Sequence, residues 1–156
     1  MTHIIVGCGR SKLDRPAPAL FLYTSTYLKV CREWACSVRP MSQIWVLSAK
    51  YGLVPSTLVI APYSATFRTT TTGFAAPTEP LEPPISPADT ARQIRAARLS
   101  GEVILLAGAD YYRHIYDTDT GLDPWNPFTQ NVPDKRYGYQ MQAMKRSTGI
   151  IPRRQG

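Results

Sequence analysis

The pentapeptide Cys8-Gly9-Arg10-Ser11-Lys12 combines a thiol, a hydroxyl, two cations and a glycine within one short segment. Backbone N–H groups of a glycine-containing turn, joined by a hydroxyl and positive side chains, form a cradle for a phosphate. The spacing matches neither familiar phosphate loop: Gly7-x-Gly9 has no third glycine and no Gly-Lys-Ser/Thr closes the segment, which argues against a nucleoside triphosphatase. Arg10 and Lys12 are therefore expected to touch the phosphodiester or sugar of a nucleotide. Cys8 lies beside cations, where a thiol can be reactive. His3 falls in an expected strand and His114 in an expected helix, so packing is favoured over nucleophilic attack for Cys8. A solvated turn is the plain alternative for the whole loop.

A second segment, Ser48-Ala49-Lys50-Tyr51-Gly52, followed by Pro62-Tyr63, offers a hydroxyl, a cation and flat rings on which an extruded base could stack. Gly52 suits a close backbone approach or a positive φ. A third, Gly108-Ala109-Asp110-Tyr111-Tyr112, places a carboxylate at a helix start, where it favours the helix dipole or, in a site, orients water or stabilises a cationic sugar. The expected chemistry falls to Asp110 and Ser48. The expected phosphate contacts are Gly9, Arg10, Ser11, Lys12, Lys50, Arg136 and Lys145, and the expected pocket is Cys8, Tyr51, Gly52, Tyr63, Gly108 and Tyr111. Turns with tyrosines capping a core are the competing account of each segment.

Positioning these segments requires strands that end where they begin. His3–Gly7 and Ile44–Leu47 are short apolar runs of the kind buried in parallel sheets, and Glu102–Ala107 makes a third. Between the first two, Tyr27, Leu28, Cys31, Trp34 and Ala35 recur at helical spacing over Ser25–Ser37. Strand, helix, strand implies a right-handed crossover and parallel neighbours, so residues 8–12 and 48–52 should emerge at one edge of the sheet. After Ser48 a polar turn containing Gly52 is expected. Residues 64–87, with serial threonines and Pro77, Pro80, Pro83, Pro84 and Pro87, read as a loop. Ser86 then caps a helix with Pro87 at its first position and Asp89 in its first turn, running to about Arg98. A helix over Asp110–Tyr116, an irregular Asp/Pro/Gly-rich segment and a helix over Tyr137–Ser147 complete the pattern. The expected architecture is one α/β domain over 1–149, three-layered with a small, mainly parallel sheet and a Pro/Thr-rich loop, followed by a basic flexible tail over 150–156.

The chain has 156 residues, 44% hydrophobic and 19% charged, the proportions of a globular domain. Its three cysteines form no paired framework and no Cys/His spacing supplies four zinc ligands, so a reducing cytoplasm is expected, with no metal or cofactor. Apolar runs are too short for a signal segment or a membrane span, and no membrane partner is expected. The net charge of +7 is unevenly distributed. Residues 1–60 hold seven Lys/Arg against two Asp/Glu; residues 102–134 hold Arg113 against Glu102, Asp110, Asp117, Asp119, Asp123 and Asp134; from Lys135 onward there are six basic residues and no acid. Such polarity attracts a polyanion to the basic portions.

The string Cys8–Lys12, Ala17-Pro18-Ala19, Leu22-Tyr23, Leu47–Leu53, Pro62-Tyr63 and Ala107-Gly108-x-x-Tyr111 resembles a poorly characterised small domain found in phages and bacteria. That domain is similar to the YaaA-type peroxide-stress proteins and, more remotely, to the uracil-DNA-glycosylase-like α/β fold. The resemblance covers most of residues 1–145 and implies N-glycosidic or base-modification chemistry on DNA or a nucleotide. The water-activating acid and terminal histidine motif of ordinary uracil-DNA glycosylases have no counterpart here, which argues against uracil hydrolysis. The expected function is a base- or nucleotide-processing enzyme. A non-catalytic module binding nucleic acid or a host protein is the alternative, and a small-nucleotide hydrolase is a weaker third.

Overall fold

Burial on both faces makes Ile4–Gly7 (β1) a central strand, since none of its residues reaches solvent. A computed structural model describes residues 2–67, 81–130 and 137–155. The strand begins one residue later than expected, leaving His3 outside it, where its Nδ1 accepts from Trp45 Nε1 at 3.0 Å. A two-residue strand, Ala17–Pro18 (β2), and one helical turn, Ala19–Leu22 (α1), interrupt the connection to Thr26–Val38 (α2). Ser25 caps α2, its hydroxyl accepting from Leu28 N at 3.2 Å, an interaction typically worth about 1 kcal/mol. Ile44–Ser48 (β3) then runs parallel to β1, with Ile4 opposite Ile44 and Gly7 opposite Leu47.

The turn expected after Ser48 is shorter than the sequence suggests. Gly52–Pro55 (β4) returns antiparallel to β3, and Val59–Ile60 (β5) pairs with β2 in a separate two-stranded sheet. Gly52 and Pro55 punctuate the sequence like a loop, yet Pro55 closes the strand at the sheet's edge, a position that tolerates a missing donor. Pro87–Ala96 (α3) starts as expected, with Ser86 Oγ accepting from Asp89 N at 3.1 Å. It stops at Ala96, short of Arg98, whose φ of 57° leaves the helical region. Glu102–Leu106 (β6) and Ala109–Asp117 (α4) agree with the expected strand and helix.

The segment read as irregular contains a further strand, Asp123–Trp125 (β7), parallel to β6. Its Asp-Pro-Trp sequence suits only an edge, and β7 is an edge. Tyr137–Arg146 (α5) follows. The fraying expected beyond Gly149 is replaced by fixed contacts. Trp34 Nε1 donates to Ser147 O and Ile150 O, and Arg154 pairs with Asp123 at 2.5 Å and with Glu102 at 3.6 Å.

The sheet order β4-β3-β1-β6-β7 assigns a face to every helix. Ile4, Val6, Ile44, Val46, Ile104 and Leu106 share one core with Leu28, Cys31 and Trp34 of α2 and Met144 of α5. Ile5, Leu47, Val103 and Leu105 share the other with Ile94 of α3 and Ile115 of α4. This is the three-layer α/β domain the sequence implies. The chain leaves β1 toward one face and β6 toward the other, so the carboxyl ends of these neighbours form a topological switch point, where a crevice opens. Among the described residues no helix is long and apolar enough to cross a membrane.

Candidate functional site

The crevice is closed at its base by a contact between the loop after β1 and the first turn of α4. The Tyr111 hydroxyl donates to Cys8 O at 2.7 Å and lies 3.0 Å from Cys8 Sγ. A phenol has one proton; with that proton on the carbonyl, the Cys8 thiol supplies the hydrogen of the sulfur contact. Gly7 makes the approach possible, because a Cβ there would lie 2.8 Å from Ala107 Cβ. At Gly9 a Cβ would come within 2.8 Å of Leu28 Cδ1, the end of a side chain that can turn aside, so the restriction there is weaker. Burial raises the Tyr111 phenol well above its ordinary value, so it acts as a neutral donor.

Around Cys8 the expected residues come together, with one addition. The Tyr23 and Tyr63 hydroxyls are 2.5 Å apart, and Tyr63 meets Tyr51 edge to face at 5.6 Å. Burial raises the pKa of both paired phenols, so the pair holds its protons. Lys12 Nζ sits 4.5 Å from the centre of the Tyr63 ring and 5.9 Å from that of Tyr23, a cation–π cage. Burial lowers the Lys12 pKa, while nearby Cys8 and Glu82 act in the opposite direction. Ser48 is fully buried; its Oγ accepts from Lys50 N at 3.2 Å and Tyr51 N at 3.0 Å. These bonds position the β3–β4 turn.

Of the other expected residues, Lys50 borders this cluster, its Nζ 5.4 Å from the centre of the Tyr51 ring, and the rest are exposed, turned away or further off. Lys50 pairs with Glu82 at 2.9 Å. Glu82 also accepts from Ser64 N, and these two contacts hold its carboxyl below the usual range. Gly52, with φ of 78°, faces Gln93 and Ile85 rather than the crevice. Gln93 accepts from Leu53 N and donates to Tyr51 O, each at 2.8 Å. Ser11 and Arg10 are exposed, and Ser11 O accepts from Thr24 N at 2.9 Å. Asp110, in the first turn of α4, pairs with Arg113 at 3.2 Å. Lys145 is eight residues along α5 from Tyr137, about 12 Å at 1.5 Å per residue, beside Glu33 and Trp34. Arg136 lies outside the described residues.

On the far side of Ala107–Ala109 lies a groove of about 920 Å³. Tyr112 and Tyr116 of α4, Trp125 and Asn126 at the end of β7, and Tyr137 and Gln140 of α5 line it. Its amides are fixed. Gln140 Oε1 accepts from Tyr27 at 2.6 Å and from Asn126 Nδ2 at 3.4 Å, while Asn126 Oδ1 accepts from Phe128 N at 2.8 Å. Tyr27 also packs against Tyr137, ring centres 4.3 Å apart. Sequence reading missed Tyr23, Tyr27, Trp125, Asn126 and Gln140 as site residues. The signal nearest the groove is Pro124-Trp125-Asn126-Pro127, an indole and an amide between prolines in a segment otherwise polar. A volume of this size, walled by rings and fixed amides at a sheet's carboxyl edge, is suited to a nucleotide-sized ligand.

No curated protein and no solved structure matches the chain. The pattern of one protein family does, over residues 4–146, taking in the seven described strands, the crevice and the groove residues other than Arg154 and Gln155. The chain belongs to that family, the family of unknown function DUF6884.

Proposed function

We propose that the protein binds a nucleotide, or a base extruded from DNA, in the groove and processes it at the adjoining crevice. The observation that carries this reading is the junction itself: an aromatic, amide-lined groove opens beside the Cys8–Tyr111 contact at the switch point. Stacking against a tyrosine would hold a base at low entropic cost, and fixed amides would orient it. Arg10 and Lys12 supply positive charge on the neighbouring loop, in a chain of net charge +7. The motif string's likeness to YaaA-type proteins and the uracil-DNA-glycosylase-like fold supports N-glycosidic or base-modification chemistry, with Asp110, which lies between the groove residues Ala109 and Tyr112, as the candidate acid.

One observation favours binding without turnover. The Asp110 carboxylate pairs with Arg113, and the Ser48 hydroxyl is engaged by the turn it caps. A single experiment separates the readings. Purified protein is incubated with single- and double-stranded DNA, modified and unmodified, and with nucleotides, and products are followed by mass spectrometry beside a binding titration. Released or altered base supports the enzyme, binding without product supports the module, and absence of both refutes the proposal.

A further inference from the structure

Two lysines reach the tyrosine cluster at the crevice, and their surroundings differ. Lys50 is held by a carboxylate: Glu82 lies 2.9 Å from its Nζ, and that contact raises the Lys50 pKa. Lys12 is held differently. Among the described residues no carboxylate forms an ion pair with it, and its Nζ meets the Tyr63 ring at 4.5 Å, the Tyr23 ring at 5.9 Å and the Arg10 carbonyl at 3.4 Å. The ring faces steady the head group without supplying the negative charge that keeps Lys50 protonated.

The amine is also fixed in position. Lys12 stands opposite Tyr23 in an antiparallel bridge, flanked by Leu13 N on Leu22 O and Thr24 N on Ser11 O, each at 2.9 Å. The residue is half-buried, yet its contact with Arg10 O is open to solvent, so a small molecule entering the crevice can reach the Nζ. Burial lowers the Lys12 pKa and Arg10 adds to that, while Cys8 and Glu82 oppose it. A lysine withdrawn from water without a paired carboxylate keeps more of its amine unprotonated than an exposed one, and that form attacks carbonyl carbon.

We propose that Lys12 is the amine nucleophile of the crevice and that its substrate is a sugar aldehyde. Resting on the nucleotide reading above, the aldehyde is C1′ of the open-chain deoxyribose phosphate left when a base has been removed. The Nζ lone pair forms a carbon–nitrogen bond to C1′. The carbonyl oxygen takes up the two amine protons and leaves as water, giving an imine that water hydrolyses back to amine and aldehyde. Arg10, exposed on the same loop, supplies positive charge for the sugar's phosphate.

The full chain is incubated with 2-deoxyribose 5-phosphate and sodium borohydride, which reduces an imine to a stable amine, and adducts are located by peptide-level mass spectrometry. Lys12 is expected to carry several times the adduct of Lys29, Lys50 or Lys145, and its labelling should reach a plateau at lower pH than theirs. Lys12→Arg keeps the positive charge and is expected to lose the dominant adduct, with an unchanged circular dichroism spectrum. An oligonucleotide bearing a single abasic site should cross-link to the parent under borohydride and not to the variant. Adduct spread evenly over the lysines, or a cross-link retained by Lys12→Arg, overturns the inference, and a parallel titration with intact deoxynucleotides reports on nucleotide binding by itself. Preferential labelling of Lys12 in a protein that binds no nucleotide or DNA upholds the nucleophile and defeats the nucleotide reading.

Discussion

Replacing Gly52 by alanine should be among the most damaging single-methyl changes in this molecule. At φ of 78° an L-residue pays a left-handed penalty of about 1–2 kcal/mol. The new Cβ would lie 2.0 Å from Gln93 Oε1 and 2.7 Å from Ile85 Cδ1, so the Gln93 amide must leave. Its departure strands Leu53 N and Tyr51 O, the partners it holds at 2.8 Å, at about 1–3 kcal/mol each. The sum is about 3–8 kcal/mol, much of the 5–15 kcal/mol by which a domain of this kind is usually stable. Gly121 provides a control with nearly the same φ, 77°, and nothing within 4 Å of its Cβ. Gly121→Ala should cost only the conformational part, about 1–2 kcal/mol. Urea unfolding followed by circular dichroism measures both, and the Gly52→Ala/Gln93→Ala double variant should be far less impaired than additivity predicts. A difference between the two alanine variants below about 1 kcal/mol would refute the packing argument.

Tyr111→Phe should cost about 1–3 kcal/mol and release Cys8, which peptide-level mass spectrometry detects as faster alkylation of Cys8 with Cys36 as internal reference. Burial lowers the pKa of His114 and of His3 below the ordinary 6.5, so the unfolded chain binds more protons than the native one in that window. Stability should therefore fall as pH drops through 6.5 toward the folded values, by no more than about 1.4 kcal/mol per pH unit for each histidine, and the His3→Gln/His114→Gln variant should flatten the profile in urea titrations. Nucleic-acid binding, followed by fluorescence anisotropy, should weaken as salt rises and weaken further in Lys12→Ala; insensitivity to salt would contradict the basic-loop account. If Asp110 serves the chemistry, Asp110→Asn loses more turnover than binding in single-turnover measurements, whereas equal turnover leaves its carboxylate with the helix dipole and Arg113.

The central strands were legible because Ile4–Gly7, Ile44–Ser48 and Glu102–Leu106 are buried runs whose apolar character needs no context. The Ser86 cap was legible because Ser-Pro followed by an acid is local chemistry. β4 and β7 were not, since Gly52, Pro55, Asp123 and Pro124 oppose strand propensity locally and are tolerated only by edge positions that the sheet order creates. The same limit applies to the site. Cys8, Lys12, Tyr51, Tyr63 and Tyr111 were identified because they follow strand ends. Tyr27, Trp125 and Gln140 come from three distant segments, and only the packing of α5 across the sheet end makes them neighbours.

The connection from β1 to α2 is long, yet it is tied down along its length. Lys12 bridges to Tyr23, while Leu13 N reaches Leu22 O, Thr24 N reaches Ser11 O, and Ala19 N and Leu20 N reach Leu58 O and Ser56 O, these four bonds all between 2.8 and 3.0 Å. A loop stapled in this way behaves mechanically as part of the sheet. It loses little motion when a ligand arrives, so binding at the crevice draws on a surface already shaped, with ordering entropy settled during folding rather than at encounter.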